Sequence, residues 1–292
     1  MKTVPKHIGH HTTADGAKLY YEIRGEGEPI VFVYGIACLL NHWHHQLHYF
    51  SQDMKVYAYD LRGHHRSTAG TDAAKLSVRG MAEDLVELLE HWNLPQAHLV
   101  GHSFGVPVLI EAFGLAPERV RSLSFINGFA HNPIKGMFGL DVVEPFFHFA
   151  KGLYEKNPDI FKYVWGAAVD NPISMFLSGM AGGFNLQLTQ FKDIEVYARG
   201  VAQLDLNVFL PLFENMMSFD GRSITEKIKV PTLIMAGERD FVTPFKFQEE
   251  MHKSIKNSEL VRLPYGSHCC QLDFPDYVNL RLEKHLSRRY LR

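Results

Sequence analysis

Residues 97–115 read AHLVGHSFGVPVLIEAFGL, a short apolar run that passes through Gly101-His102-Ser103-Phe104-Gly105 into helical spacing. That order predicts a strand, a sharp turn carrying Ser103 and a helix over 106–115. A serine hydroxyl is a poor nucleophile unless it stands exposed beside a base, and a strand-to-helix turn provides the exposure. The flanking glycines let neighbouring backbone approach without a side-chain clash. The helix that follows aims its free N–H groups and positive dipole end at the serine, where acyl transfer builds an oxyanion. Pro107 falls in the first helical turn, where a missing N–H is tolerated.

Outward from this point, apolar runs at 19–23, 30–34, 56–59, 98–100, 120–126, 232–235 and 260–263 alternate with helix-like stretches. Strands alternating with helices imply an α/β fold with a parallel sheet covered on both faces. The clearest helix is 78–92, with Met81, Leu85, Leu88 and Leu89 on one face and Glu83, Asp84, Glu87 and Glu90 elsewhere; Asn93-Leu94-Pro95 stops it. Between 129 and 221 the alternation fails, the chain being rich in Phe, Met and Gly at helical spacing, and it resumes with VPTLIMAG from 230. The expected organisation is therefore an α/β core built from 1–128 and 222–292, with a helical cap inserted at 129–221 over the sheet edge.

Lys and Arg total 30 against 32 Asp and Glu, a formal charge of −2, so no general field draws a polyanion and nucleic acid is not an expected partner. The start, MKTVPKHIGHHTTADG, has no apolar core of a signal peptide, and the longest apolar run, 30–40, is too short for a transmembrane segment. Cys38, Cys269 and Cys270 are odd in number and badly spaced for a disulfide framework. A soluble cytoplasmic protein is the expectation.

Five stretches, VFVYGIA at 31–37, YDLRGHHRS at 59–67, GHSFG at 101–105, VPTLIMAGERDFVTP at 230–244 and GSHCCQLDFP at 266–275, resemble in their order the motifs of the α/β-hydrolase family. The resemblance covers nearly all the core and reaches the cap only loosely. It implies the α/β-hydrolase fold and a serine hydrolase that works through an acyl-enzyme, with no cofactor and no metal. Ser103 is then the nucleophile. His268 follows the last expected strand and is the base, since imidazole takes up and returns a proton near neutral pH. Asp240, at the end of AGERD, is the acid that orients the ring, preferred to Glu238 by the resemblance. The oxyanion hole would use the backbone N–H groups of Phe104 and Ile36. Three positions depart from the family pattern: Tyr34 before Gly35 in place of His, Val106 in place of a further Gly, and His65 in place of the second Gly of the Arg-Gly-x-Gly loop. Asp60 and Arg62 in that loop read as a structural ion pair or turn-fixing groups.

The stretch NHWHHQLHYF at 41–50 places His44 and His48 four apart, as on a metal-binding helix, but lacks the glutamate of a metalloprotease motif. Half-exposed imidazoles on a helix beside the sheet are the plainer reading. Most of the aromatic and Met residues of 129–221 should form the cap's own core. Tyr34, His102, Phe138, Phe146, Met180 and Met217 are the candidates for lining an apolar pocket, which suits an apolar acyl or alkyl small molecule. The same three catalytic residues also serve carbon–carbon bond hydrolases, lactonases, perhydrolases and acyltransferases, and a ligand receptor on this scaffold is the rival from another class. The cap sequence does not decide among these, and the oligomeric state is not legible.

Overall fold

In the computed structural model, which describes residues 4–135, 137, 141–180 and 182–287, eight strands form one sheet. They are β1 (Lys6–Thr12), β2 (Lys18–Arg24), β3 (Pro29–Val33), β4 (Lys55–Tyr59), β5 (Ala97–His102), β6 (Val120–Ile126), β7 (Thr232–Gly237) and β8 (Ser258–Leu263), laid out in the order β1-β2-β4-β3-β5-β6-β7-β8. The pairs β1/β2 and β2/β4 are antiparallel and the other five parallel. The expected mostly parallel sheet is present, and its central strands β5 and β7 are buried at every residue, as continuously apolar runs require. The strand β1 was not expected from KHIGHHT, which lacks a clean apolar alternation. Its residues are mostly exposed, and seven paired positions along β2 hold it as an edge.

Three helices precede the insert: α1 (His44–Phe50), α2 (Val78–His91) and α3 (Gly105–Leu115). On α2 the apolar face is as read, but Asp84 is buried with it rather than turned to solvent. The partner is Arg62, also buried, whose Nε and Nη2 donate to Asp84 at 2.8 and 2.6 Å while Nη1 donates to Asp15 at 2.6 Å. Such a fork satisfies a buried guanidinium in a way a single contact cannot. Arg62 thus fixes the turn after β4, while Asp60 takes Arg66 as its partner at 2.7 Å. At the head of α3, Val106 occupies the space that Gly128 leaves, since a Cβ on Gly128 would lie 2.3 Å from Val106 Cγ2.

Between β6 and residue 221 the described chain forms no strand within the sheet and carries the helices α4 (Val143–Lys156), α5 (Pro158–Val169), α6 (Pro172–Met180), α7 (Phe191–Gln203) and α8 (Leu206–Ser218). The chain enters and leaves this insert side by side: Asn132 N–H donates to Phe219 O at 3.0 Å and Gly221 N–H to Ala130 O at 2.7 Å. Phe147, Tyr154, Leu206 and Leu210 make a small core of the insert's own. Met175, Phe184, Ile194 and Ala198 pack instead against Cys269 and Leu272 of the chain beyond β8. The helices α9 (Arg222–Thr225), α10 (Phe245–Ser254), α11 (Cys270–Asp273) and α12 (Pro275–Ser287) complete the fold. Among the described residues no helix is long and apolar enough to cross a membrane.

Candidate active site

Ser103 sits where β5 ends and α3 begins, at φ +52°, a conformation that costs a non-glycine residue energy and persists only where surroundings impose it. The surroundings are visible. Ser103 N–H donates to Ile126 O at 3.0 Å, tying the turn to β6. A Cβ on Gly105 would lie 2.4 Å from Val33 O, and one on Gly35 would lie 2.9 Å from Ser103 Cβ. Gly105 in the turn and Gly35 in the loop after β3 are therefore required by the close approach of the two segments.

His268 lies in the turn between β8 and α11, buried, with Nδ1 2.9 Å from Asp240 Oδ2. A carboxylate only accepts, so Nδ1 carries the proton and Nε2 presents its lone pair. Asp240 is itself held by N–H groups of Val242 and Thr243 at 2.9 and 2.8 Å and by the Thr243 hydroxyl at 2.7 Å. Ser103 and His268 line one cavity of about 130 Å³. Among the described residues the Ser103 hydroxyl makes no hydrogen bond to the ring, a contact that tightens in many enzymes only when substrate binds.

Asn127, unremarked in the sequence, braces this arrangement. It is fully buried, at φ +46°, and its amide donates to Ser267 O and His268 O at 2.8 and 2.6 Å while its side-chain oxygen accepts Gly237 N–H at 2.7 Å. One side chain thereby joins the ends of β6 and β7 to the loop carrying His268. Its only sequence signal is an Asn-Gly pair directly after a strand, which also marks ordinary turns. From the insert, Gly182 O accepts His268 N–H at 2.8 Å.

Phe104 follows Ser103 at the head of α3 and Ile36 lines the same cavity, and among the described residues no hydrogen bond engages either backbone N–H. The loop after β3 is held without the family's histidine. Tyr34 is wholly buried, its hydroxyl donating to Asp60 at 3.2 Å and accepting Leu61 N–H at 2.9 Å. His64 donates from Nδ1 to Arg62 O at 3.0 Å and accepts Ala37 N–H on Nε2 at 3.2 Å, which only the neutral ring can do. Burial lowers its pKa to about 4. His65, at φ +48°, takes the left-handed conformation suited to the glycine it replaces, and its Nε2 meets Cys38 O at 2.8 Å.

The pocket candidates fare differently. Tyr34 belongs to the core, and His102 lies behind the site with Nε2 2.8 Å from His268 O. Phe146 and Met180 are exposed, at 69% and 59%, because their helices turn those faces away from the sheet. Met217 is half-buried among the insert's aromatic rings and does not reach the cavity. Phe138 lies outside the described residues. The cavity is lined instead by Ile36, Phe129, Met137, Phe184, Phe213 and Met216, together with Tyr197 and Ser178. Larger hollows of about 520 and 380 Å³ contain none of Ser103, Asp240 or His268, so chemistry rather than size selects the site.

Behind Ser103, the His102 and His42 rings lie with centroids 4.7 Å apart, and burial holds both neutral, His42 at about 3 with His268 and His44 adding to the depression, and His102 well below the ordinary value with His42 and His268 adding to it. Burial also raises the Cys38 thiol to about 12, which makes it unreactive. Two sets of donor atoms stand close enough to share a cation, Cys38 with His42 and His102, and His44 with His45 and Asp193. The pair His44 and His48 is not brought together on such a site; His48 is exposed and absent from both sets.

A strand-turn-helix serine, an aspartate-bound histidine across the same cavity and a mostly parallel eight-stranded sheet define the class. The chain belongs to the α/β hydrolase fold family, whose model matches residues 28–275. It is 27% identical to the protein named "Putative carbamate hydrolase RutD" of Azorhizobium caulinodans, over 90% of this chain and 92% of that one. Among solved structures it resembles a hydrolase from Pseudomonas aeruginosa (TM-score 0.76, 22% identity, 96% of this chain and 98% of that one). It also resembles an esterase from Exiguobacterium antarcticum (TM-score 0.76, 21% identity, 95% and 98%).

Proposed function

We propose that the protein is a serine hydrolase that cleaves a neutral carboxylic ester or related acyl compound through an acyl-enzyme on Ser103, under a cap formed by α4–α8. The observation that carries this reading is the strained Ser103 sharing a cavity with His268, whose far nitrogen is already committed to Asp240. In the first step the Ser103 oxygen bonds to the acyl carbon as its proton passes to His268 Nε2. The imidazolium is stabilised by Asp240, and the oxyanion draws on the N–H groups of Phe104 and Ile36. Return of the proton expels the alcohol. Water repeats the sequence and frees the acid.

The lining supports an apolar acyl group, and among the described lining residues there is no Arg or Lys to fix an anionic substrate. A volume of about 130 Å³ is close to that of cavities that hold a benzene ring. Against nitrophenyl esters, kcat/KM should therefore rise about fourfold per methylene from acetyl to roughly hexanoyl, following about 0.8 kcal/mol per buried CH₂. Equal rates for acetyl and longer esters would overturn the apolar assignment. A second reading, carbamate cleavage, is favoured by the name of the relative that matches nearly the whole chain; aryl carbamates assayed beside the esters separate the two. Ser103→Ala should abolish labelling by a fluorophosphonate, and Asp240→Asn should lower kcat by about 10⁴-fold through the wrong ring tautomer. Labelling that survives Ser103→Ala would refute the nucleophile.

A further inference from the structure

The histidine-rich stretch that the catalytic reading leaves unused meets the insert at one point. On α1, His44 and His45 have ring centroids 3.8 Å apart, and both face Asp193 in the first turn of α7. His44 Nε2 stands 3.7 Å from Asp193 Oδ1, and His45 Nε2 stands 3.8 Å from Oδ2. These separations exceed hydrogen-bond length. Asp193 is buried, and its Oδ2 has no hydrogen-bond partner among the described residues. His44 Nδ1 lies 2.8 Å from Asn41 O. A carbonyl accepts only, so Nδ1 donates, and in its neutral form the ring turns the Nε2 lone pair toward Asp193 Oδ1. Neither imidazole closes a hydrogen bond to the carboxylate at these distances, and one divalent ion between the three side chains would satisfy both ring nitrogens and the unpartnered Oδ2. The bond from the far ring nitrogen to a backbone carbonyl is also the usual support of a metal-bound histidine.

We propose that His44, His45 and Asp193 form a binding site for a divalent transition-metal ion of the zinc type, fastening the insert helix α7 to the core helix α1. The donor set of two imidazole nitrogens and one carboxylate oxygen suits zinc, nickel, cobalt or copper(II) rather than calcium or magnesium. Donors on one zinc stand about 3.3–3.5 Å apart and the three donor atoms here lie within 4.8 Å of one another, so side-chain rotations close the site, and water fills the remaining position. Asp276, at the start of α12, adds negative potential at His45. The ion would act on structure rather than as a reagent, because none of its three ligands lines the cavity that holds Ser103; Tyr197, one turn along α7 from Asp193, does.

The test is calorimetric titration of zinc chloride into untagged, chelator-stripped full-length protein at pH 7.5. One equivalent should bind with a dissociation constant below about 10 µM, and saturating zinc should raise Tm by about 5 °C. The surface variants His44→Gln and His45→Gln should each weaken binding at least about tenfold, and Asp193→Asn more so, while His10→Gln and His48→Gln leave it unchanged. Copper(II) in the same site should show hyperfine coupling to two nitrogens. Wild-type protein that binds no zinc at 100 µM would overturn the proposal, as would equal binding by the folded double variant of His44 and His45, about tenfold above the expected constant being the margin.

Discussion

Asn127 shows how much of a site's geometry rests on a residue that does no chemistry. Its φ of +46° is one that asparagine adopts more readily than other non-glycine residues, and its side chain satisfies three backbone groups around the His268 loop. Replacement by leucine would leave Ser267 O and Gly237 N–H buried without partners, reduce His268 O to its contact with His102, and force a branched side chain into a left-handed conformation. We expect Asn127→Leu to lose about 3 kcal/mol of stability in urea titrations. Asn127→Gly keeps the backbone conformation and loses only the hydrogen bonds. It should therefore retain more stability than the leucine variant while losing a similar share of kcat, with KM little changed, because the loop that aims His268 is slack in both. Equal stability of the two variants would remove the backbone from this account.

At the scale of elements, the seam between insert and core is where sequence and structure part. The sheet was legible because its strands are short continuous apolar runs, and the helix α2 because its apolar spacing is regular. Asp84 misled because charge alone says nothing of a buried guanidinium beside it. The strand β1 was invisible because pairing rather than apolar burial holds it, and residues of the helical stretch such as Phe146 and Met180 could not be ranked because helical periodicity does not say which face meets which neighbour. The candidate triad stood out in the sequence because its residues follow the ends of strands. Its supports, Asn127 and Gly182, were not, since they act through backbone atoms. Gly182 has φ +81°, and a Cβ there would lie 2.6 Å from Arg239 O and 2.8 Å from Phe241 Cδ2, within the loop that carries Asp240. Its carbonyl meanwhile holds His268 N–H. Gly182→Ala should therefore displace both partners of the candidate triad and lower kcat about tenfold or more, consistent with the sensitivity of catalysis to misplacements of about 1 Å. An unchanged rate in a folded variant would show that the seam does not position His268.

For the whole molecule, the number of histidines buried as neutral rings sets an acid limit on stability. His42 and His64 are depressed by burial to about 3 and about 4, and His102 is held well below its ordinary value by the same cause. In the unfolded chain each takes a proton near pH 6.5. Below that pH the unfolded state binds more protons than the folded one, so stability is complete above about pH 7 and falls as pH drops through 6.5 toward the folded values. Three such rings together remove on the order of 5 kcal/mol between pH 7 and pH 5, a large fraction of the 5–15 kcal/mol that holds a typical domain. The carboxylates of Glu22 and Asp220, both lowered to about 2, keep their contribution through this window and lose it only at lower pH. Unfolding free energies from urea titrations at half-unit steps should therefore decline steadily from pH 7 to pH 5. His64→Gln, which can still accept the Ala37 N–H, should flatten that slope by about one third, since one of three proton sites is gone. A profile flat from pH 7 to pH 5 would mean that these rings exchange protons with solvent without unfolding, and that the close packing around Ser103 opens far more readily than its burial implies.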